Sequence, residues 1–122
     1  LVEARIESHP LFGAAGERLD WNVRVLASPG GIIDCIVRMG PMGMPINKAL
    51  GADVALLDEV LTRIGRQDPT ARFDPQAVRL EIEDTARRAA AALGALFVGL
   101  DLIIDPTGRA WVIEANVGRA GG

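Results

Sequence analysis

At 122 residues, with 49% hydrophobic and 24% charged side chains, the chain is long enough for one domain with a buried core, and its profile excludes a disordered segment. A net charge of -3 gives no electrostatic basis for binding nucleic acid or an anionic membrane, and a single cysteine, Cys35, excludes an internal disulfide. No apolar run of about 20 residues is present, and the composition as a whole reads as a cytoplasmic protein. The opening at Leu1 rather than Met and the Gly-rich close VGRAGG suggest a piece excised from something longer.

In chain order, Leu1 to Glu7 is a short β-rich run, followed by a loop with His9, Pro10, Gly13 and Gly16 that carries no periodicity. Asp20 to Ala27 alternates in the manner of a strand, Ser28-Pro29-Gly30-Gly31 supplies turn chemistry, and Ile32 to Met39 returns as a second strand. The stretch GPMGMP over 40–45, with two glycines and two prolines, is expected to break the ladder. Val54, Leu57, Val60, Leu61 and Ile64 fall on one helical face, with Gly65 as the stop. Asp74-Pro75 is a cap followed by proline at the first helical position. Val78, Ile82, Ala86, Ala89 and Leu93 then form an apolar stripe that ends at Gly94, with Glu83/Arg87 and Asp84/Arg88 as i, i+4 pairs on the outer face. The order β, ββ, αα, ββ predicts an α+β fold, an antiparallel β-sheet with two helices packed on one face.

The last strands, within 94–116, pose a chemical problem. If this hairpin folds about Thr107 and Gly108, Asp101 lies opposite Glu114, about 5 Å away across the ladder. Alternation then sends Leu96, Val98, Leu100, Leu102, Ile104, Trp111, Ile113 and Ala115 to the helix side. Phe97, Gly99, Asp101, Ile103, Val112, Glu114 and Asn116 go to the other. Two opposed carboxylates repel, so the arrangement either asks for a cation or belongs to a solvated face. Carboxylate and amide oxygens without His or Cys suit a hard ion, Mg²⁺ or Mn²⁺, and Mg²⁺ commonly completes its shell with water and phosphates, which points to a nucleotide. His9 and Cys35 read as a loop residue and a small core residue, and no Ser/His or Cys/His pairing suggests a nucleophile.

The run Phe97-Val98-Gly99-Leu100-Asp101 after a helix ending in Leu93-Gly94, followed by Val112-Ile113-Glu114-Ala115-Asn116, resembles the metal-binding end of the ATP-grasp ligases. The likeness is to the branch of glutathione synthetase and the ribosomal-protein glutamate ligases. The resemblance implies that residues 1–122 are the C-terminal ATP-grasp subdomain, with a hinge strand at 1–7 and the metal-binding hairpin at 95–116. It implies Asp101, Glu114 and Asn116 as ligands of Mg²⁺ (or Mn²⁺). Asp20-x-x-x-Arg24-Val25 is similar to the family's D-x-R-V strand, and Arg38 and Asn47-Lys48-Ala49-Leu50-Gly51 to its phosphate-side arginine and N-x-x-x-G turn. Arg38 and Asn47 are thereby implied as catalytic residues. ATP would be held by Glu3, Ala4, Ile6, Arg24, Arg38 and Asn47, the first three at the adenine.

The activity implied is that of an ATP- and Mg-dependent carboxylate–amine ligase: a small-molecule or peptide carboxylate becomes an acyl phosphate, which an amine acceptor then displaces. The chain would be its metal- and phosphate-binding part, partnered by the N-terminal part of its own parent chain and inactive alone. A non-catalytic nucleotide-binding or regulatory module of the same fold is the alternative. Relatives often carry an arginine where Pro45 stands, and the segment from Glu7 to Leu19 is longer than the family's usual connection. The roles of Glu7, Lys48 and Arg119 stay open.

Overall fold

A computed structural model describes residues 6–42, 53–94 and 96–118. Its elements are β1 (Leu19–Ser28), β2 (Gly31–Pro41), β3 (Asp53–Ala55), α1 (Leu57–Gln67), α2 (Pro75–Leu93), β4 (Phe97–Ile104) and β5 (Ala110–Gly118). The strands form one antiparallel sheet in the order β3-β2-β1-β4-β5, so the fold is α+β, as expected. Alternation along the strands produces a single dry layer. Trp21, Val23, Val25 and Ala27 of β1 line up with Val37 and Met39 of β2 and with Val98, Leu100, Leu102 and Ile104 of β4. Leu57, Val60, Leu61 and Ile64 of α1 and Val78, Ile82, Ala86 and Ala90 of α2 close that layer from one side.

α2 begins where the sequence places it: the Asp74 carboxylate accepts from the Gln76 and Ala77 amides, Pro75 occupies the first turn, and Gly94 ends the helix in the left-handed region at φ 62°. Its buried row advances by fours to Ala90, which leaves Leu93 46% exposed rather than at the end of the stripe. On the outer face Arg88 meets Asp84 at 3.1 Å, whereas Glu83 takes Arg79 and Arg87 turns to Asp84.

Other expectations are corrected by tertiary context. Val54 belongs to β3, opposite Arg38, because that short segment pairs with β2 before α1 begins. Gly65 does not stop α1. A Cβ there would lie 3.3 Å from the Pro75 ring, so the glycine admits the start of α2. The helix ends at Gln67 because Pro69 disfavours helical geometry at Asp68, whose carboxylate instead gathers the Thr70, Arg72 and Phe73 amides. β2 runs through Gly40 and Pro41 before it breaks, since Pro41 lies past the span paired with β3, where an edge tolerates proline. The hinge strand expected at 1–7 has no strand at Ile6 and Glu7; residues 1–5 are outside the described set. Pro10 interrupts any ladder there, and the segment is tied down piecemeal. The His9 amide reaches the Ile104 carbonyl, Arg18 the Ser8 carbonyl, Arg63 the Phe12 carbonyl, and the Trp21 indole the His9 carbonyl.

The β4–β5 register holds the most informative difference. Asp105 accepts from the Thr107 amide and hydroxyl, the Arg109 amide and the Trp111 indole, and Gly108 turns the chain at φ 88°. This tip sets Ile104 opposite Ala110, Ile103 opposite Trp111 and Leu102 opposite Val112, one residue away from a fold about Thr107 and Gly108. A bulge at Ile113 then restores the step, and Asp101 does lie opposite Glu114. Trp111 therefore stands on the acidic face, not the core face, and Ile113 is 47% exposed. Leu96, 79% exposed and ahead of β4, is also no core residue.

Candidate functional site

The helix-free face of the sheet carries the polar residues. Opposite Trp21, Val23 and Val25, the strand β1 presents Asn22 and Arg24; β2 adds Arg38 directly across from Asn22. β4 sets Asp101 across from Arg24, and β5 sets Glu114 across from Asp101 and Asn116 across from Gly99. A row thus crosses the sheet from guanidinium to carboxylate to carboxylate, assembled from segments that are far apart in the sequence.

Its centre is buried. The Asp101 side chain is 7% exposed and that of Arg38 15%, while Arg24 is half-exposed and Glu114 and Asn116 are exposed. Asp101 Oδ1 faces two cations, Arg38 Nη2 at 3.6 Å and Arg24 Nε at 3.8 Å. Both separations exceed a hydrogen bond, so the contacts are Coulombic and loose. Asp101 Oδ1, Arg38 Nε, Arg38 Nη2 and Asn22 Oδ1 are all buried without a hydrogen-bond partner. Buried charged and amide groups are normally satisfied, and leaving each unsatisfied costs about 1–3 kcal/mol. Ser8 Oγ, Arg18 Nε and Thr85 Oγ1 are buried without a partner elsewhere, but among the described residues only on this face do several such groups of opposite charge gather, with room in their hydrogen bonding for further polar atoms.

The expected residues divide as follows. Arg24, Arg38, Asp101, Glu114 and Asn116 share one face. Glu3, Ala4 and Asn47 lie outside the described residues, as do Lys48 and Arg119. Ile6 is half-buried in an irregular segment. The pairing of Asp101 with Arg24 and Arg38 was not foreseen, since it depends on β1 and β4 being neighbours; nor was the buried Asn22, although its place between core residues Trp21 and Val23 puts it on the same face as Arg24.

Two carboxylates and an amide oxygen are a hard-donor set, and the unsatisfied Asp101 Oδ1 is the kind of buried oxygen that a divalent cation would satisfy. The set fits such an ion. Among the described residues no three His, Cys, Asp or Glu side chains gather about one point, so a cation here would draw on amide, water or ligand oxygens as well. The clustered guanidiniums suit a phosphate group.

His9 packs edge-on against Phe73 at 4.7 Å, with its Nδ1 3.1 Å from the Pro10 carbonyl. Burial, aided by Asp34, pushes the Cys35 thiol up to about 11, which makes it a poor nucleophile. A cavity of about 610 Å³ lies between the His9–Phe12 segment, the α1–α2 connection and the β4–β5 turn, but the carboxylates on it, Asp68 and Asp74, are engaged by backbone amides as a loop brace and a helix cap. Among the described residues no helix is long and apolar enough to cross a membrane. In comparisons with family models, curated proteins and solved structures, the chain gave no significant match.

Proposed function

We propose that the helix-free face is the metal- and phosphate-binding half of a cytoplasmic ATP-dependent carboxylate–amine ligase, with the rest of the machinery supplied by another part of its parent chain. The observation that carries this reading is the buried, unsatisfied cluster of Asp101, Arg38 and Asn22, flanked by Arg24, Glu114 and Asn116. Asp101, Glu114 and Asn116 would hold Mg²⁺ or Mn²⁺, and the ion would supply positive charge for the phosphate oxygens. Arg24 and Arg38 bind and orient the polyphosphate of ATP, and Arg38, the more buried, holds it in a low-dielectric setting where a guanidinium counts most. The carboxylate that accepts the phosphoryl group and the amine that displaces it lie beyond what these residues select. Phosphoryl transfer depends on positioning and charge stabilisation, and a site without a side-chain nucleophile suits it.

The test is Glu114→Gln, which keeps shape and removes one ligand charge. Titration of Mn²⁺ with a non-hydrolysable ATP analogue should show affinity reduced at least about ten-fold, and unchanged affinity would defeat the proposal. Should the parent protein bind the complex and form no amide, the same site would serve as a regulatory nucleotide-binding module.

A further inference from the structure

The chain's own side chains already balance the row of charges. Asp101 Oδ1 is shared by Arg24 and Arg38, at distances that satisfy neither guanidinium. Asp101, Arg24 and Arg38 are therefore each occupied, weakly, by a group of the opposite charge. We infer that Arg24 and Arg38 close Asp101 to a cation until a polyphosphate draws them off, so that anion and cation bind this face together and neither binds well alone. The inference rests on the proposed metal and phosphate site and adds its order of assembly.

The two binding events are linked. A polyphosphate that engages the two guanidiniums must compete with Asp101, and a cation on Asp101 must compete with the guanidiniums. Whichever arrives first releases the partner of the other, and the coupling is reciprocal. Because Asp101 and Arg38 are both largely buried, their mutual attraction is weakly screened, and the release is worth more than it would be at the surface. Glu114 supplies the internal comparison: it lies across from Asp101, yet makes no ion pair among the described residues. Its charge contributes to the cation without restraining either arginine.

Two binding measurements on the purified chain test this, each with one ligand so that metal–phosphate complexes in solution do not intrude. Mn²⁺ binding without any anion is followed by the loss of the free-ion electron paramagnetic resonance signal. Arg38→Met should tighten it about ten-fold and Arg24→Met, at the half-exposed arginine, several-fold, with Arg87→Met, on α2 and paired with Asp84 rather than Asp101, as a control that changes nothing. Tripolyphosphate binding in metal-chelated buffer is followed by calorimetry. Here Asp101→Asn should tighten it about ten-fold and Glu114→Gln much less. If Arg24→Met and Arg38→Met bind Mn²⁺ no better than the wild type, the inference is overturned while the metal reading stands. Equal tightening of tripolyphosphate by Asp101→Asn and Glu114→Gln also overturns it, since a general field and not the ion pairs would then be responsible. If no variant binds either ligand, the proposed site itself fails and the inference with it.

Discussion

Removing one member of the Asp101–Arg38 pair should be costly in a way that removing both is not. Asp101 and Arg38 are 7% and 15% exposed and 3.6 Å apart. At an effective dielectric of about 20 the gross attraction is about 4–5 kcal/mol, set against a desolvation penalty of several kcal/mol per ion. Breaking a buried pair typically costs about 3–5 kcal/mol because a charge is left without compensation. Here the longer separation and the half-exposed Arg24, whose own share is at most about 0.5 kcal/mol, lower the expectation for Asp101→Asn to about 2–3 kcal/mol. For a chain of 122 residues that is a fall in Tm of about 6–15 °C. Arg38→Met should lose a similar amount. The double variant Asp101→Asn/Arg38→Met should recover at least about 1 kcal/mol of the summed loss, because neither charge then remains to be compensated. Urea denaturation of the four proteins in metal-free buffer gives the cycle. Single losses below about 0.5 kcal/mol that simply add would mean that Asp101 is hydrated and unpaired, and the premise of an internally balanced site would be wrong.

Three further outcomes follow from other parts of the fold. Leu100→Ala, at a side chain 1% exposed between the sheet and α2, should cost about 2–5 kcal/mol in urea denaturation, and a loss under 1 kcal/mol would mean the core collapses around it. Cys35, with its thiol raised to about 11 by burial, should resist alkylation at pH 8 until the chain unfolds; because a raised folded pKa favours the folded state below the unfolded value, stability should decline as pH climbs from about 9 toward 11, and Cys35→Ala should flatten that decline. Asp105 is pushed up by partial burial, but hydrogen bonds from the Thr107 hydroxyl, the Trp111 indole and the Arg109 and Thr107 amides outweigh this and hold it at about 2. Its stabilising effect should be complete above about pH 4, fade as pH falls toward 2, and vanish in Asp105→Asn, as acid titration by circular dichroism would record.

What could be read from the sequence was whatever is decided locally. The Asp74-Pro75 start and Gly94 stop of α2 are set by backbone chemistry within a turn, and the β1–β2 hairpin by its alternation and its Ser-Pro-Gly-Gly connection. Features decided by contact between distant segments were not legible. Gly65 looks like a stop until Pro75 is seen against it, and Val54 looks helical until β2 claims it. The pairing of Asp101 with Glu114 was anticipated through a compensation: the Asp105-centred tip displaced the register by one, and the Ile113 bulge displaced it back. Trp111, between those two steps, was accordingly assigned to the wrong face. The arginine partners of Asp101 required the β1–β4 adjacency, which no local pattern encodes.

The five residues of the site do not argue for function equally. Among the described residues β5 is an edge strand, and an edge strand is commonly blunted by a charge or a bulge so that it does not pair with another chain. Glu114 and the Ile113 bulge meet that need with no ligand at all, and Asn116 beside them is exposed. Asp101 has no such reason to be acidic. β4 is paired on both sides, its carboxylate is buried, and an apolar residue at that position, with another in place of Arg38, would remove the desolvation cost of both charges. A fold needs neither charge there, and the hydrogen bonds that would make the pair favourable are absent. Asp101 and Arg38, buried and unsatisfied on interior strands, are therefore the residues on which a ligand would act, and the exposed Glu114 becomes informative only through its register opposite Asp101.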